Sequence, residues 1–334
     1  MGLFSRQTKQ SFVGVDLGMS GIKVVELLNE KGRARLVTYA YDDYPDVRPE
    51  RSYTENTAAT GELLKRMIAQ AKATTKRTIG ALPIASVFSS IISVPASNEK
   101  ELKEAVNYQA KKLIPMPLEE ISLDSKVLEG AGGTEEKKKV TRVLLTGAPT
   151  SLVTKYVEIL TNAGLEPLAL ETEAFAQIRS LVGKDRSTVM IVDIGALRTN
   201  LTVVEKGVPF LSRSIASGGV GITTTIATTL GIPFEQAETM KRDIKAMQAF
   251  APTGDLSPIL QTLLKPILDE IRYSFNLYQG QSEGGVQKRV EKIIVTGGSA
   301  LLPRLPEFLT QLMNVTTFLG DPWARVVYPE DLRP

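Results

Sequence analysis

The sequence predicts an α/β protein built from a duplicated domain, with a separate α+β block set into its first half. Three observations carry this. "VGVDLG" at 13–18 and "MIVDIG" at 190–195 are apolar strands that end in Asp-x-Gly. Each is followed by a strand-like run, a tight turn and a further strand-like run, at 22–28 and 34–41 in the first copy and at 199–205 and 208–216 in the second. The copies lie about half the chain apart, and the region between them follows a different pattern.

The elements follow in order. The turns "NEKGR" and "KG" carry Gly32 and Gly207, the residue type that accepts positive φ in a hairpin. "TIGALP" (78–83) and "VFSSIISVP" (87–95) read as strands, and 97–113 as a helix with Ser97 as N-cap and Lys100, Glu101 and Glu104 on its exposed face. "IPMPLEEISLDSKVLEG" holds prolines and then a strand. The Gly-rich, charged stretch 130–139 reads as a solvated hairpin loop, because no strand-to-helix transition surrounds it. A strand at 140–149, a helix at 150–163 and a strand at 167–171 close this block. Helices are expected over 219–231, 233–244 and 258–281, the last interrupted or kinked near Pro266. Residues 288–313 read as strand, Gly-Gly turn and helix.

Composition narrows the chemistry. The chain has 334 residues, room for about two domains, and a net charge of +3 from 40 basic and 37 acidic residues. That balance argues against nucleic acid as the main partner. The absence of cysteine and histidine excludes disulfides, thiolate nucleophiles, Cys/His zinc sites and Ser-His triads within these residues. Chemistry falls to carboxylates, Lys, Arg, hydroxyls, backbone amides and a hard cation such as Mg²⁺. No apolar run approaches a bilayer span, "MGLFSRQTKQ" has no signal-peptide core, and Arg6 breaks the myristoylation pattern. A cytoplasmic location is expected.

The first Asp-x-Gly loop has two readings. As a phosphate site, Gly18, Met19 and Ser20 present backbone N–H groups in one direction, Gly21 keeps the approach free of a Cβ, Ser20 adds a hydroxyl and Lys23 a cation. Asp16 fits such a site only with a cation such as water-bound Mg²⁺ between it and the phosphate. As a plain hairpin, the same residues form a polar turn. In the second loop Asp193 and Gly195 repeat the pattern, with Thr199 and Asn200 as donors and Arg198 as an extra cation. "VTGGSALLP" (295–303) is the third element: Gly297 and Gly298 offer bare backbone to a flat ligand, with Ser299 near a helix start, where it would otherwise serve as a cap. Neither a Walker A loop nor a dinucleotide fingerprint is present.

In this order the motifs resemble phosphate 1, phosphate 2 and adenosine of the actin, heat-shock-chaperone and sugar-kinase class of ATP-binding proteins. "SIASGGVGITTTIATTLGIPFEQAETMK" (214–241) is similar to the stretch there that runs from a Gly-Gly turn, here Gly218 and Gly219, into a nucleotide-facing helix. That match makes Glu238 and Lys241 candidates to contact ribose and base; read without it, they are an exposed ion pair three residues apart on a helix. "FVGVDLGMSGIKVVEL", "IPMPLEE", "ETEAFAQIRSL" and "IIVTGGSALLPRLPEFL" resemble the PilM family of type IV pilus assembly, relatives of FtsA. The resemblance implies an actin-like, ribonuclease H-like duplicated ATPase fold with an FtsA-type inserted α+β subdomain. Its divisions are a first core subdomain (1–84 and 168–186), the inserted subdomain (85–167), a second core subdomain (187–227 and 290–334) and a helical subdomain (228–289).

It also implies ATP with Mg²⁺ in the cleft, Asp16 and Asp193 facing the metal, and weak or no hydrolysis. Asp193 and Glu171 or Glu173 are the candidates to orient water. The partner implied is the cytoplasmic N-terminal tail of PilN, bound between the first core and inserted subdomains, with 85–120 the stretch to search. Contact with the inner membrane would be indirect, through that pilus complex, and self-association is possible. The alternatives are an FtsA-like filament protein, disfavoured because the chain stops at Pro334 without an amphipathic tail, a related secretion-machine component, or a small-molecule kinase of the same class.

Overall fold

The computed structural model describes residues 10–43, 52–95, 98–128, 140–243, 257–282 and 287–332. Its first half opens with an antiparallel meander of β1 (Gln10–Gly18), β2 (Gly21–Glu30) and β3 (Arg33–Asp43). Helix α1 (Thr57–Gln70) leads to β4 (Arg77–Leu82), which pairs parallel with β1. The chain then leaves the sheet for β5 (Phe88–Pro95), α2 (Glu99–Leu113), β6 (Ile121–Val127) and β7 (Val140–Pro149), and returns through α3 (Thr150–Asn162) to β8 (Glu166–Thr172), parallel to β4.

The second half repeats this frame. Strands β9 (Val189–Ile194), β10 (Thr199–Glu205) and β11 (Val208–Ile215) form the meander. Helices α5 (Gly219–Leu230), α6 (Phe234–Arg242), α7 (Ser257–Leu263) and α8 (Lys265–Gln279) precede β12 (Lys292–Thr296), parallel to β9. Helix α9 (Leu305–Met313) then leads to β13 (Thr316–Leu319), parallel to β12. The strand orders β3-β2-β1-β4-β8 and β11-β10-β9-β12-β13 coincide, so the duplication read from two short motifs extends to whole sheets.

The matching hairpin turns have a common cause. Lys31 and Gly32 lie at φ 54° and 82°, Lys206 and Gly207 at 54° and 80°. Two consecutive positive φ values make the turn whose twist matches that of its strands, and a Lys-Gly pair supplies it twice. The halves differ in where they are elaborated. The first carries its extra α+β block after β4, the second its extra helices after β11.

Each unit has its own core. Val13, Val15, Ile22 and Val24 of the first sheet pack under Leu64 and Met67 of α1 and Ile159 and Leu160 of α3. The inserted sheet, ordered β5-β7-β6, buries Ile92, Val94, Val143 and Leu145 against Val106 and Ala110 of α2. The second sheet buries Val192, Ile194, Leu201 and Val203 against Ile222, Ile267, Leu268 and Ile271. One polar side chain is locked into the first half: Glu26 is fully buried and accepts from Thr74 N at 2.7 Å and Thr74 Oγ1 at 2.5 Å. Among the described residues no helix is long and apolar enough to cross a membrane.

A short connection joins the halves: α4 (Glu173–Gln177), capped by Thr172, and a π-turn at Ile178–Val182. The C-terminal segment straps it from outside. The Arg325 guanidinium donates to the carbonyls of Arg179 and Ser180, and β14 (Val326–Val327) then joins the first sheet beside β3.

Several local expectations change. The cap of α2 is Asn98, whose Oδ1 accepts from Glu101 N at 2.9 Å; Ser97 and the 130–139 loop lie outside the described residues. The interruption expected near Pro266 is present: the stretch 258–281 is two helices separated at Leu264, because Pro266 fits only the first turn of a new one. Ser299 lies near the start of a helix, but that helix is a one-turn 3-10 helix, Gly298–Leu301, which it does not cap, and α9 begins only at Leu305. Helix α1 has no counterpart among the sequence expectations.

Gly21 is required by packing rather than by ligand access. A Cβ there would lie 2.2 Å from the Asp42 carbonyl oxygen on β3. At Gly18 the nearest atoms are the end of the Lys23 side chain at 3.1 Å and the Gly21 carbonyl oxygen at 3.2 Å, which a shift of a few tenths of an ångström relieves. Gly21→Ala is therefore expected to lower stability by about 3 kcal/mol and Gly18→Ala by less than about 1 kcal/mol, compared by urea unfolding. Equal losses would show that β3 yields to the added methyl.

Candidate functional site

The ends of β1 and β9 place an aspartate at the same point of each half. Across the hairpin Asp16 faces Lys23, and Asp193 faces Asn200, each seven positions on. Lys23 Nζ lies 3.2 Å from Asp16 Oδ2, with both side chains about half exposed, at 50% and 43%. Asp193 is partly buried, and its Oδ2 accepts from Gln177 Nε2 of α4 at 2.7 Å.

Glu173 stands between them. Its Oε2 accepts from Ile84 N at 3.0 Å and from Asn200 Nδ2 at 3.3 Å. Burial pushes this carboxyl up to about 7; the Ile84 amide and Lys23 pull it down, while the charges of Asp16 and Asp193 push it further up. Asp193 is also raised, by burial first, against the Gln177 hydrogen bond and with Asp16 adding to the rise. Burial raises the Tyr156 phenol of α3, and Glu173 and Asp16 add to it. These effects place Asp16, Glu173 and Asp193 within electrostatic reach of one another, and Tyr156 within reach of Glu173 and Asp16. Of the two acids offered for water orientation, Glu173 joins this cluster. Glu171 instead pairs with Arg179 on the π-turn.

The remaining donors of the second loop are largely engaged within the protein. The Thr199 hydroxyl donates to Ser217 O at 2.7 Å. Asn200 donates to Glu173 and accepts from Ser214 Oγ, which also receives Arg198 Nε. At the start of α5, Gly219 N and Val220 N donate to the Gly195 and Ala196 carbonyls at 2.8 Å each, so two first-turn amides hold the loop. A side chain at Gly218 would meet those carbonyls at 2.6 and 2.8 Å.

The third motif closes on the second. Gly297 has φ 85°, and a Cβ there would lie 2.5 Å from Asp193 Oδ1. One at Gly219 would lie 2.4 Å from Ser299 Oγ. Gly298, by contrast, faces open space, and Met19 is exposed beside Ser20 in the β1–β2 turn.

Glu238 and Lys241 are not an exposed pair. Lys241 is 8% exposed, and its Nζ donates to Glu238 Oε2 at 2.6 Å, Thr223 Oγ1 at 2.8 Å and Gly219 O at 3.2 Å. Thr223 Oγ1 donates in turn to Glu238 Oε2 at 2.5 Å, and Arg242 binds the other oxygen. Burial alone would raise Glu238, but these donors outweigh it and hold the carboxylate low. Burial lowers Lys241 against the pull of Glu238. The network ties α6 to the first turn of α5, beside Ser299.

Sequence reasoning missed Gln177, Thr223 and Tyr156. The first two carried a signal, four residues after Glu173 and Gly219 on a helical face. Tyr156 carried none. Among the described residues no group of three or more acidic side chains is close enough to hold a metal directly.

Comparison with known structures places the fold. A PilM–PilN type IV pilus biogenesis complex matches with TM-score 0.77 and 24% identity, covering 96% of this chain and 90% of that one. The ethanolamine utilization protein EutJ of Carboxydothermus hydrogenoformans matches with TM-score 0.54 and 17% identity over 96% of this chain and 85% of its own. MreB 5 of Spiroplasma citri, solved with AMPPNP, matches with TM-score 0.50 and 14% identity, covering 94% and 92%. The architecture is thus the actin-like ATPase fold. The family profile described as type IV pilus assembly protein PilM matches residues 14–334, and the chain belongs to that family.

Proposed function

We propose that this chain is a nucleotide-dependent scaffold of type IV pilus assembly. It binds ATP with Mg²⁺ between its halves and captures the short N-terminal tail of a PilN-type membrane protein between its first core and inserted subdomains. The observation that carries the nucleotide reading is the convergence of Asp16, Glu173 and Asp193, from two equivalent loops and the connection between them, on one point. The partner reading is supported by family membership and by the likeness to a PilM–PilN complex. Through that partner the chain would lie at the inner membrane.

Charge sets the conditions. These acids, offset by Lys23, repel a bare polyphosphate. A divalent cation between them and the phosphate reverses the sign. Magnesium keeps several of its waters and needs only one or two carboxylates, which suits Asp16 and Asp193 better than direct ligation by three acids. On the nucleoside side, Glu238, Lys241, Gly298 and Ser299 would take ribose and base. Glu173, poised near neutrality, is suited to accept a proton from water. Its Oε2 is already bound to Ile84 and Asn200, which suits slow turnover and a switch rather than a fast hydrolase.

Asp16→Ala is expected to weaken Mg-ATP binding at least about tenfold with little loss of stability, since its ion pair is exposed. Titration of a fluorescent nucleotide with and without EDTA measures this, and unchanged affinity in the folded variant would return the loop to a turn. A labelled PilN-type tail peptide should bind the purified protein by fluorescence anisotropy. No binding with or without Mg-ATP would remove the partner reading.

Glu173 gives a pH test in the metal-free protein. Its carboxyl lies at about 7 in the folded state against 4.5 ordinarily, so the folded state holds the extra proton. Its contribution to stability is fully present below the unfolded value and is lost as pH rises toward 7. Glu173→Gln should therefore stabilise the protein by up to about 3 kcal/mol at pH near 8 and by little at pH near 4. Urea midpoints at both pH values check it, and a gain confined to acid would reverse the assignment.

A further inference from the structure

The chain crosses between the first sheet and the inserted subdomain twice, outward through Pro83–Val87 and back through Pro149 into α3. Leu82 and Ala148, beside these crossings, pack with Tyr156 in a small core of their own. This is an apolar pivot. Next to it lies a polar tie. Ile84, the first residue of the one-turn helix Ile84–Ser86, donates its N–H to Glu173 Oε2, and the same oxygen takes the Asn200 amide of β10. One oxygen on the connection therefore joins the outward crossing to the second half. Strand β5 and the Ile84–Ser86 turn also touch β11.

We propose that Glu173 is a positioning residue that ties the inserted subdomain to the second half, so that the tilt of the inserted subdomain follows the width of the cleft. Hydrogen bonds fail within about 1 Å of stretch. Widening the cleft withdraws Asn200 and loosens the grip on Ile84; closing it restores both. The consequence for a peptide groove beside the inserted subdomain rests on the proposed function. The tie itself does not.

The chain has no cysteine, so Ser125→Cys on β6 and Arg66→Cys on α1, both exposed, take a donor–acceptor dye pair cleanly. Single-molecule energy transfer on the nucleotide-free protein should give one narrow population. Glu173→Ala and Asn200→Ala should broaden it about twofold or more as the subdomain gains freedom. Glu173→Gln keeps an acceptor oxygen and should stay near wild type. Ile84→Pro removes the donor itself, and Pro83 at ψ 135° is already in the extended region favoured before a proline. Ile84→Val keeps the N–H and controls for packing.

A narrow population in Glu173→Ala or Asn200→Ala would overturn the tie, as would equal broadening in Glu173→Gln. If Ile84→Pro does not fold by circular dichroism, the Glu173 and Asn200 variants decide alone. Adding Mg-ATP, with binding read on the same sample, should shift the transfer in wild type and not in Glu173→Ala. Bound nucleotide with unmoved transfer in wild type would overturn the coupling. Absence of binding would overturn the nucleotide reading instead, and the nucleotide-free arm would still decide the tie.

Discussion

Two partly buried carboxyl groups, Asp193 and Glu173, lie within electrostatic reach of a third, Asp16. Burying like charges is among the costliest acts in a fold unless donors surround them, and much of the central architecture supplies those donors. Gln177 faces Asp193 from the first turns of the connection. Asn200 faces it across the β9–β10 hairpin and reaches Glu173 as well. The backbone of Ile84 arrives from the crossing into the inserted subdomain. Lys23 offsets Asp16 from the neighbouring strand. Donors from both sheets and from the connection thus converge on one acidic point.

That convergence explains how one frame, used twice, yields two unlike halves. Each contributes an aspartate at the end of its first strand, but the partner seven residues on is a cation in one and an amide in the other. After β4 the first half turns outward through Pro83 into an extra sheet. After β12 the second half turns at Gly297, whose missing side chain lets the backbone lie against Asp193. The two crossings are equivalent in topology, one leading into the extra sheet and one lying against Asp193.

The Glu238–Lys241 network follows a different rule. Lys241 and Glu238 neutralise each other, with Thr223 and the Gly219 carbonyl filling the remaining valences. The pair is pre-formed and anchors α6 to α5. Its charges are balanced within the protein, whereas in the acidic cluster the charge balance changes with each proton or cation.

The sequence by itself determined the duplicated frame, the inserted block and the two aspartates, because these rest on local signals: apolar alternation, Lys-Gly turns and Asp-x-Gly strand ends. It also determined which chemistries were closed, through the missing cysteine and histidine. The tertiary structure alone decided which acid of 171 and 173 joins Asp16 and Asp193, since Arg179 takes Glu171 from the π-turn. It also decided that Gly21 answers to β3, that Lys241 is buried and that Tyr156 reaches the cluster. Each of these depends on groups far apart in the chain meeting at one point. Local periodicity records which face a residue lies on, while burial and charge are set by what arrives opposite it.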